Sequence, residues 1–179
     1  MLARTSPWIA AVVALLAPVT GHTNAADGGV ALDATVERSN GSTTRLGGLW
    51  AKPTVLFYED RDSTALNEHV KAALADRARD GKAQQQVMVV AVANVAAWDW
   101  FPARNFVLAA VKDIEKKVNQ PVYLDFKGSL SAAPWSLPSK TSSVLVLDRS
   151  GHPTWRAEGR LPKEKVDELF KELERLVAQ

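Results

Sequence analysis

Cysteine is absent from the 179 residues of this chain. Its absence excludes disulfide bonds, thiolate nucleophiles, iron–sulfur clusters and cysteine-based zinc sites from the sequence given. An excess of charge of one sign is also lacking, since 22 Lys and Arg residues oppose 20 Asp and Glu residues. The resulting net charge of +2 is too small for a protein that holds a polyanion by releasing counterions. We therefore expect no nucleic acid partner.

Motifs of several enzyme and cofactor classes are missing as well. The sequence has no glycine-rich phosphate loop, no Gly-x-Ser-x-Gly turn and no His-Glu-x-x-His helix. His69 and His152 are far apart in the predicted layout, and isolated histidines make a poor metal site. The sequence thus predicts no catalytic residue, no cofactor-binding residue and no bound cofactor.

Long hydrophobic runs are lacking, too. The longest apolar stretch, from Trp8 to Val19, is about a dozen residues, whereas a membrane-spanning helix needs about 20. Arg4 precedes it and the small residues before Asp27 follow it, which is the pattern of a signal peptide. We predict a signal peptide over residues 1–26, a mature domain over residues 27–179 and no stable membrane insertion after cleavage. The alternative is a retained membrane anchor.

The remaining sequence is typical of one globular domain, with 46% hydrophobic and 23% charged residues. Apolar runs predict strands over residues 54–58, 87–92 and 143–148, with a brief strand at 121–124. A hairpin is predicted over 30–46 and a strand returning from a turn at 154–157. Helical periodicity predicts helices over 64–78 and 101–118 and a last helix opened by Pro162.

The first two helices carry specific expectations. Asp62 or Ser63 is placed to cap the first helix and Gly81 to end it. One apolar stripe is predicted along the second helix. That stripe consists of Phe106, Val107, Ala110, Val111, Ile114 and Val118.

The order of these elements predicts an α/β fold. Two parallel strands joined through a helix lie beside an antiparallel pair that a C-terminal helix closes. This is a thioredoxin-like mixed β-sheet flanked by helices, with an N-terminal β-hairpin expected at its edge.

Particular segments resemble known families of this fold. Residues 141–151 resemble the strand and Asp-x-x-Gly turn that follow the cis-proline of TlpA-like and peroxiredoxin-like proteins, and residues 52–58 look like their strand before the redox motif. Residues 86–177 resemble the YtfJ-like group of predicted periplasmic thioredoxin-fold proteins. The shared positions are Val144 to Asp148, Gly151, Trp155, Gly159 and the last helix. The resemblance implies a periplasmic location, with secretion as the alternative.

The resemblance also locates what is missing from a redox site. Matching Phe57 and Tyr58 to the aromatic pair of these families places Asp62 and Ala65 at the two cysteine positions. The position of the cis-proline falls on Ser142. Neither Asp62 nor Ala65 can exchange a disulfide, so the resemblance implies a non-redox member of a redox fold.

A binding surface is expected where the parallel strands end. Its candidate residues are Tyr58, Asp62, Trp98, Trp100, Phe101 and Ser142. The acidic run Glu59 to Asp62 offers oxygen ligands to a cation, or else it is a solvated turn that caps the helix. The aromatic residues Trp98 to Phe101 form a binding patch, or else they close the core under a long loop.

Two functions from different classes fit this pattern. The first is a binding or accessory module for a protein, peptide or small ligand at the strand ends. The second is a cysteine-independent, metal-assisted enzyme that uses Glu59, Asp60 and Asp62 as ligands. A name such as thiol-disulfide oxidoreductase or peroxiredoxin-like protein would describe only the ancestry of the fold, because the chain has no cysteine.

Overall fold

A computed structural model describes residues 29–79 and 86–179 of the chain. The predicted signal peptide over residues 1–26 and the predicted helix stop at Gly81 lie outside these residues. Among the described helices, none has the length and apolar character needed to cross a membrane.

The strands form one mixed sheet of seven, in the order β2-β1-β5-β4-β3-β6-β7. They are β1 (Thr35–Glu37), β2 (Thr43–Arg45), β3 (Thr54–Glu59), β4 (Met88–Asn94), β5 (Val122–Asp125), β6 (Ser143–Leu147) and β7 (Pro153–Glu158). Strand β4 pairs in parallel with both β3 and β5, whereas β6 runs antiparallel to β3 and β7. The predicted α/β layout is confirmed, and so is the N-terminal hairpin at the edge of the sheet.

Three helices cover one face of the sheet. They are α1 (Glu68–Arg79), α2 (Ala103–Val118) and α3 (Lys163–Val177). Helices α1 and α3 pack on a cluster that includes Val55 and Phe57 of β3, and α2 packs on a cluster around Leu124 of β5. These strand residues share a face, because β4 pairs in register with β3 and β5.

Among the described residues, no α-helix covers the opposite face of the sheet. Tyr58 and Leu145 lie on this face, where Trp50 from the N-terminal segment and Leu130 and Leu137 from the loop after β5 pack against them. That loop crosses the sheet near the carboxyl ends of β3 and β4. It therefore forms one wall of the surface on which the candidate site lies.

The beginning of the first helix differs from the prediction. Helix α1 begins at Glu68, not Thr64, and neither Asp62 nor Ser63 caps it. The Ser63 hydroxyl instead donates to Asp60 Oδ1 at 2.8 Å and folds residues 61–67 into turns. Short polar side chains compete in this way with the helical backbone for hydrogen bonds.

The predicted apolar stripe of the second helix is wrong for four of its six members, because Phe106, Ala110, Ile114 and Val118 are exposed. Val111 is buried and Val107 packs against it, but Phe106 and Ile114 are exposed by 71% and 47%. The reason is that α2 packs only on the strands near one edge of the sheet, and no other α-helix of the described residues covers its outer flank. In α3, by contrast, Leu169, Phe170, Leu173 and Leu176 are all buried.

Candidate functional site

A cavity of about 490 Å³ lies at the carboxyl ends of β3 and β4. Three segments form it: the turn after β3, the turn after β4 and the loop before β6. It is lined by Asp60, Arg61, Asp62, Asn94, Ala96, Ala97, Trp98, Gly128, Ser131, Ser139 and Lys140. Of the predicted site residues, Asp62 and Trp98 line the cavity, and the position agrees with the general rule for ligand sites in open α/β sheets.

Tyr58 lies beneath this cavity and does not face solvent. Its ring is 1% exposed, and its hydroxyl donates to Asp125 Oδ2 at 3.1 Å and lies 2.9 Å from Ser131 Oγ. Asp125 also accepts the backbone N–H groups of Ser129 and Leu130 at 2.8 and 2.9 Å. These hydrogen bonds fix the conformation of the loop after β5. Ser131 belongs to this loop and lines the cavity.

Removing the Tyr58 hydroxyl should cost stability. We expect Tyr58→Phe to lower the free energy of unfolding by about 1–2 kcal/mol, because the buried Asp125 carboxylate loses a hydrogen-bond partner. Urea denaturation measures the change. Tyr123→Phe is the matched control, since Tyr123 is also buried but its hydroxyl makes no hydrogen bond within the described residues. Equal losses in the two variants would contradict the role of the network.

The cost of this substitution should also depend on pH. Burial raises the pKa of Tyr58 well above its ordinary value in the folded protein, whereas the unfolded chain ionises near 10. The folded state therefore keeps a proton that the unfolded state loses, so wild-type stability falls as pH rises above about 10. We expect the difference in the free energy of unfolding between the wild type and Tyr58→Phe to become smaller between pH 8 and pH 10.5. An unchanged loss over that range would contradict this assignment.

Ser142, at the place where the resemblance puts a cis-proline, belongs to a second buried network. Its hydroxyl donates to Glu59 Oε1 at 2.7 Å and accepts Asn67 Nδ2 at 2.9 Å. Glu59 is 6% exposed and pairs with Lys71 Nζ at 2.8 Å. This network ties the end of β3 to the beginnings of α1 and β6. Buried polar side chains thus surround the position at which the resemblance expects a cis-proline.

The carboxylates of the acidic run have separate partners. Glu59 is committed to Lys71 and Ser142, whereas Asp60 accepts the N–H groups of Asp62, Ser63 and Lys140. Within residues 29–79 and 86–179, no group of three or more His, Asp or Glu residues is arranged to hold a metal ion. The metal-assisted hypothesis therefore gains no support from the geometry of Glu59, Asp60 and Asp62.

The aromatic residues after β4 are at the surface. Trp98, Trp100 and Phe101 are exposed by 39%, 56% and 84%, so the alternative that they close the core is wrong. Asp99 anchors the segment, because Lys127 Nζ donates to its carboxylate at 2.7 Å and Arg104 bonds it from α2. These contacts hold the pKa of Asp99 below its ordinary value. The exposed rings therefore stand on a fixed turn beside the cavity.

Arg61, Ser139 and Lys140 are among the residues of the cavity wall that sequence reasoning missed. Arg61 lies inside the acidic run Glu59 to Asp62, whose pattern indicated a role for the carboxylates only. Lys140 lies in a loop without periodicity, and only the fold brings it to Asp60, 80 positions away. Its φ of 61° is in the left-handed region that residues other than glycine seldom adopt. No signal in the sequence predicts that conformation.

The chain has a thioredoxin-like fold and no cysteine. The chain belongs to the family described as "Bacterial protein of unknown function (YtfJ_HI0045)", whose model matches residues 56–176. No curated protein sequence matches the chain.

Solved structures agree with the fold. An uncharacterized conserved protein from Geobacillus kaustophilus has a TM-score of 0.61 and 16% identity, over 87% of this chain and 85% of that one. A secreted thiol-disulfide isomerase from Corynebacterium glutamicum has a TM-score of 0.60 and 15% identity, over 91% of this chain and 96% of that one. A DsbF homologue from Corynebacterium diphtheriae has a TM-score of 0.58 and 15% identity, over 88% and 96%. At such identities the likeness concerns the fold alone.

Proposed function

We propose that this chain is an exported, non-redox binding or accessory module. It binds a protein or peptide partner at the carboxyl ends of β3 and β4. The binding surface consists of the cavity together with the exposed rings of Trp98, Trp100 and Phe101. Thiol-disulfide exchange cannot be its chemistry, because the sequence has no cysteine.

One observation carries the proposal: three exposed aromatic side chains adjoin a cavity whose walls are held by buried hydrogen-bond networks. Exposed aromatic rings are the side chains that most often contribute binding energy at protein interfaces. The network of Tyr58 and Asp125 orders one wall of the cavity, and Asp60 links two others. A surface that is ordered before binding loses little conformational entropy when a partner arrives.

Export rests on separate support. The predicted signal peptide favours it, and the similar isomerase from Corynebacterium glutamicum is described as secreted. We expect N-terminal sequencing of the chain recovered from the exported fraction to begin at Asp27. Recovery of the chain with residues 1–20 intact would contradict cleavage and favour a retained anchor.

Photo-crosslinking tests the proposed surface. A photoreactive phenylalanine analogue at position 98 should form a covalent adduct with the partner in cells, because Trp98 lines the cavity. The same analogue at position 52 is the matched control, since Lys52 is exposed and lies at the opposite end of β3. An adduct at position 98 and none at position 52 is the expected result. Equal labelling at both positions, or no adduct at 98, would contradict the proposed function.

A further inference from the structure

Two cations without carboxylate partners line the cavity. Arg61 and Lys140 both contribute to its wall, and neither forms a salt bridge within the part of the chain that the structure describes. The reason lies in Asp60, which stands between them. Its carboxylate accepts backbone N–H groups and the Ser63 hydroxyl, so it does not pair with either cation.

Asp60 also fixes where Lys140 stands. The Lys140 N–H donates to Asp60 Oδ2, and this bond accompanies the left-handed backbone conformation of Lys140. Such a conformation is costly for a residue with a side chain and tends to occur at functional sites. The fold therefore holds Lys140 at the cavity wall despite an unfavourable backbone geometry.

The free polar groups of the cavity are mainly donors. The side chains of Arg61, Lys140 and Ser139 and the indole N–H of Trp98 have no acceptor within the described residues, and the carboxylate of Asp62 has no donor there. An arginine fork beside a lysine suits a carboxylate. The carboxylate of Asp62 can accept a hydrogen bond from a donor that lies close to the ligand's carboxylate, such as a peptide N–H of the same ligand.

We infer that the cavity binds an acidic side chain of a peptide segment. The Glu or Asp carboxylate lies between Arg61 and Lys140, and a neighbouring backbone N–H of the ligand donates to Asp62. An apolar side chain next to the acidic residue covers Trp98. This inference rests on the proposed function and adds the chemistry of the ligand to it.

Matched peptides test the inference. The probes are N-acetyl-Leu-Glu-Leu-amide, its glutamine analogue and inorganic phosphate, each titrated into the full chain while the indole N–H resonance of Trp98 is followed by NMR. We expect the glutamate peptide to bind at least about tenfold more tightly than the glutamine peptide, because it makes charge-assisted hydrogen bonds. Phosphate should bind more weakly than the glutamate peptide, because it has no N–H for Asp62.

Two double variants of equal charge complete the test. Arg61→Gln/Lys140→Gln should bind both peptides alike, whereas Lys52→Gln/Lys117→Gln should keep the wild-type preference. Lys52 and Lys117 are exposed cations outside the cavity. An equal affinity of the wild type for the two peptides, or phosphate binding as tight as that of the glutamate peptide, would overturn the inference. So would no shift of the Trp98 resonance, or a preference that survives in Arg61→Gln/Lys140→Gln.

The crosslinking experiment separates this inference from the proposed function. If position 98 still captures its partner when Arg61 and Lys140 are replaced by glutamine, the binding surface stands and the acidic ligand is wrong. If position 98 captures no partner in the otherwise native chain, the proposed function fails and the inference fails with it.

Discussion

Asn67→Ala is expected to lower the free energy of unfolding by about 3 kcal/mol. The Asn67 side chain is fully buried and makes three hydrogen bonds: Nδ2 donates to Ser142 Oγ and Gly159 O, and Oδ1 accepts the Leu161 N–H. Their lengths lie between 2.8 and 2.9 Å. Alanine would remove a partner from the buried Leu161 N–H, from the buried Ser142 hydroxyl and from the half-buried Gly159 carbonyl. Urea denaturation with an unchanged m-value would measure the loss.

Asn105→Ala is the matched control for this prediction. Asn105 is exposed on α2, and its side chain makes no hydrogen bond in the described part of the chain. Alanine favours a helix more than asparagine does, so this variant should be neutral or slightly more stable. A similar change in both variants would show that the buried network around Ser142 contributes little.

Gly151→Ala is expected to lower the free energy of unfolding by a similar amount, about 2–4 kcal/mol. Gly151 has a φ of 82°, and a Cβ atom there would lie 2.2 Å from Trp50 Cδ1. Trp50 cannot move away cheaply, because it is buried and its indole N–H donates to Leu32 O at 2.6 Å. The variant therefore has to displace the segment that covers one face of the sheet.

Gly41→Ala separates the two causes of this loss. Gly41 has the same φ of 82°, but nothing lies within 4 Å of an added Cβ atom. Gly41→Ala should lower the free energy of unfolding only by the cost of an alanine in the left-handed conformation, about 1 kcal/mol. Thermal unfolding compares the two variants. Equal losses at Gly41 and Gly151 would contradict the role of the Trp50 contact.

Much of the fold could be predicted because its strands are continuous apolar runs. Val55 to Tyr58 and Val144 to Leu147 are all buried, and a short apolar run between turn residues is typical of a strand that is buried on both faces. Periodicity was less informative for α2. Phe106 and Ile114 have the spacing of an apolar helix face, but both are exposed. The spacing alone does not show how wide a surface the sheet offers to that helix.

The candidate site was predictable in position but not in composition. The carboxyl ends of β3 and β4 follow from topology, which brought Asp62 and Trp98 to one cavity. Tyr58 and Ser142 were also predicted there, but both are buried and support the cavity from below. Lys140 could not be predicted, because its place depends on a long-range bond to Asp60 and on a strained backbone conformation.

Other residues occupy the positions that the resemblance assigns to a redox site. Where the resemblance expects a cysteine motif and a cis-proline, the chain has Asp62, Ala65 and Ser142. Ser142, Asn67 and Glu59 join three elements by buried hydrogen bonds. Ser142 therefore supports the structure, and the exposed surface beside it is the one that we propose binds a partner.

Capture of a partner from the exported fraction tests the central claim most directly. The native chain is compared with Trp98→Ala/Trp100→Ala, whose rings are exposed and whose loss should leave the fold intact by circular dichroism. We predict a partner that the native chain retains and the double variant does not. A partner retained equally by both chains would contradict a binding surface at the strand ends.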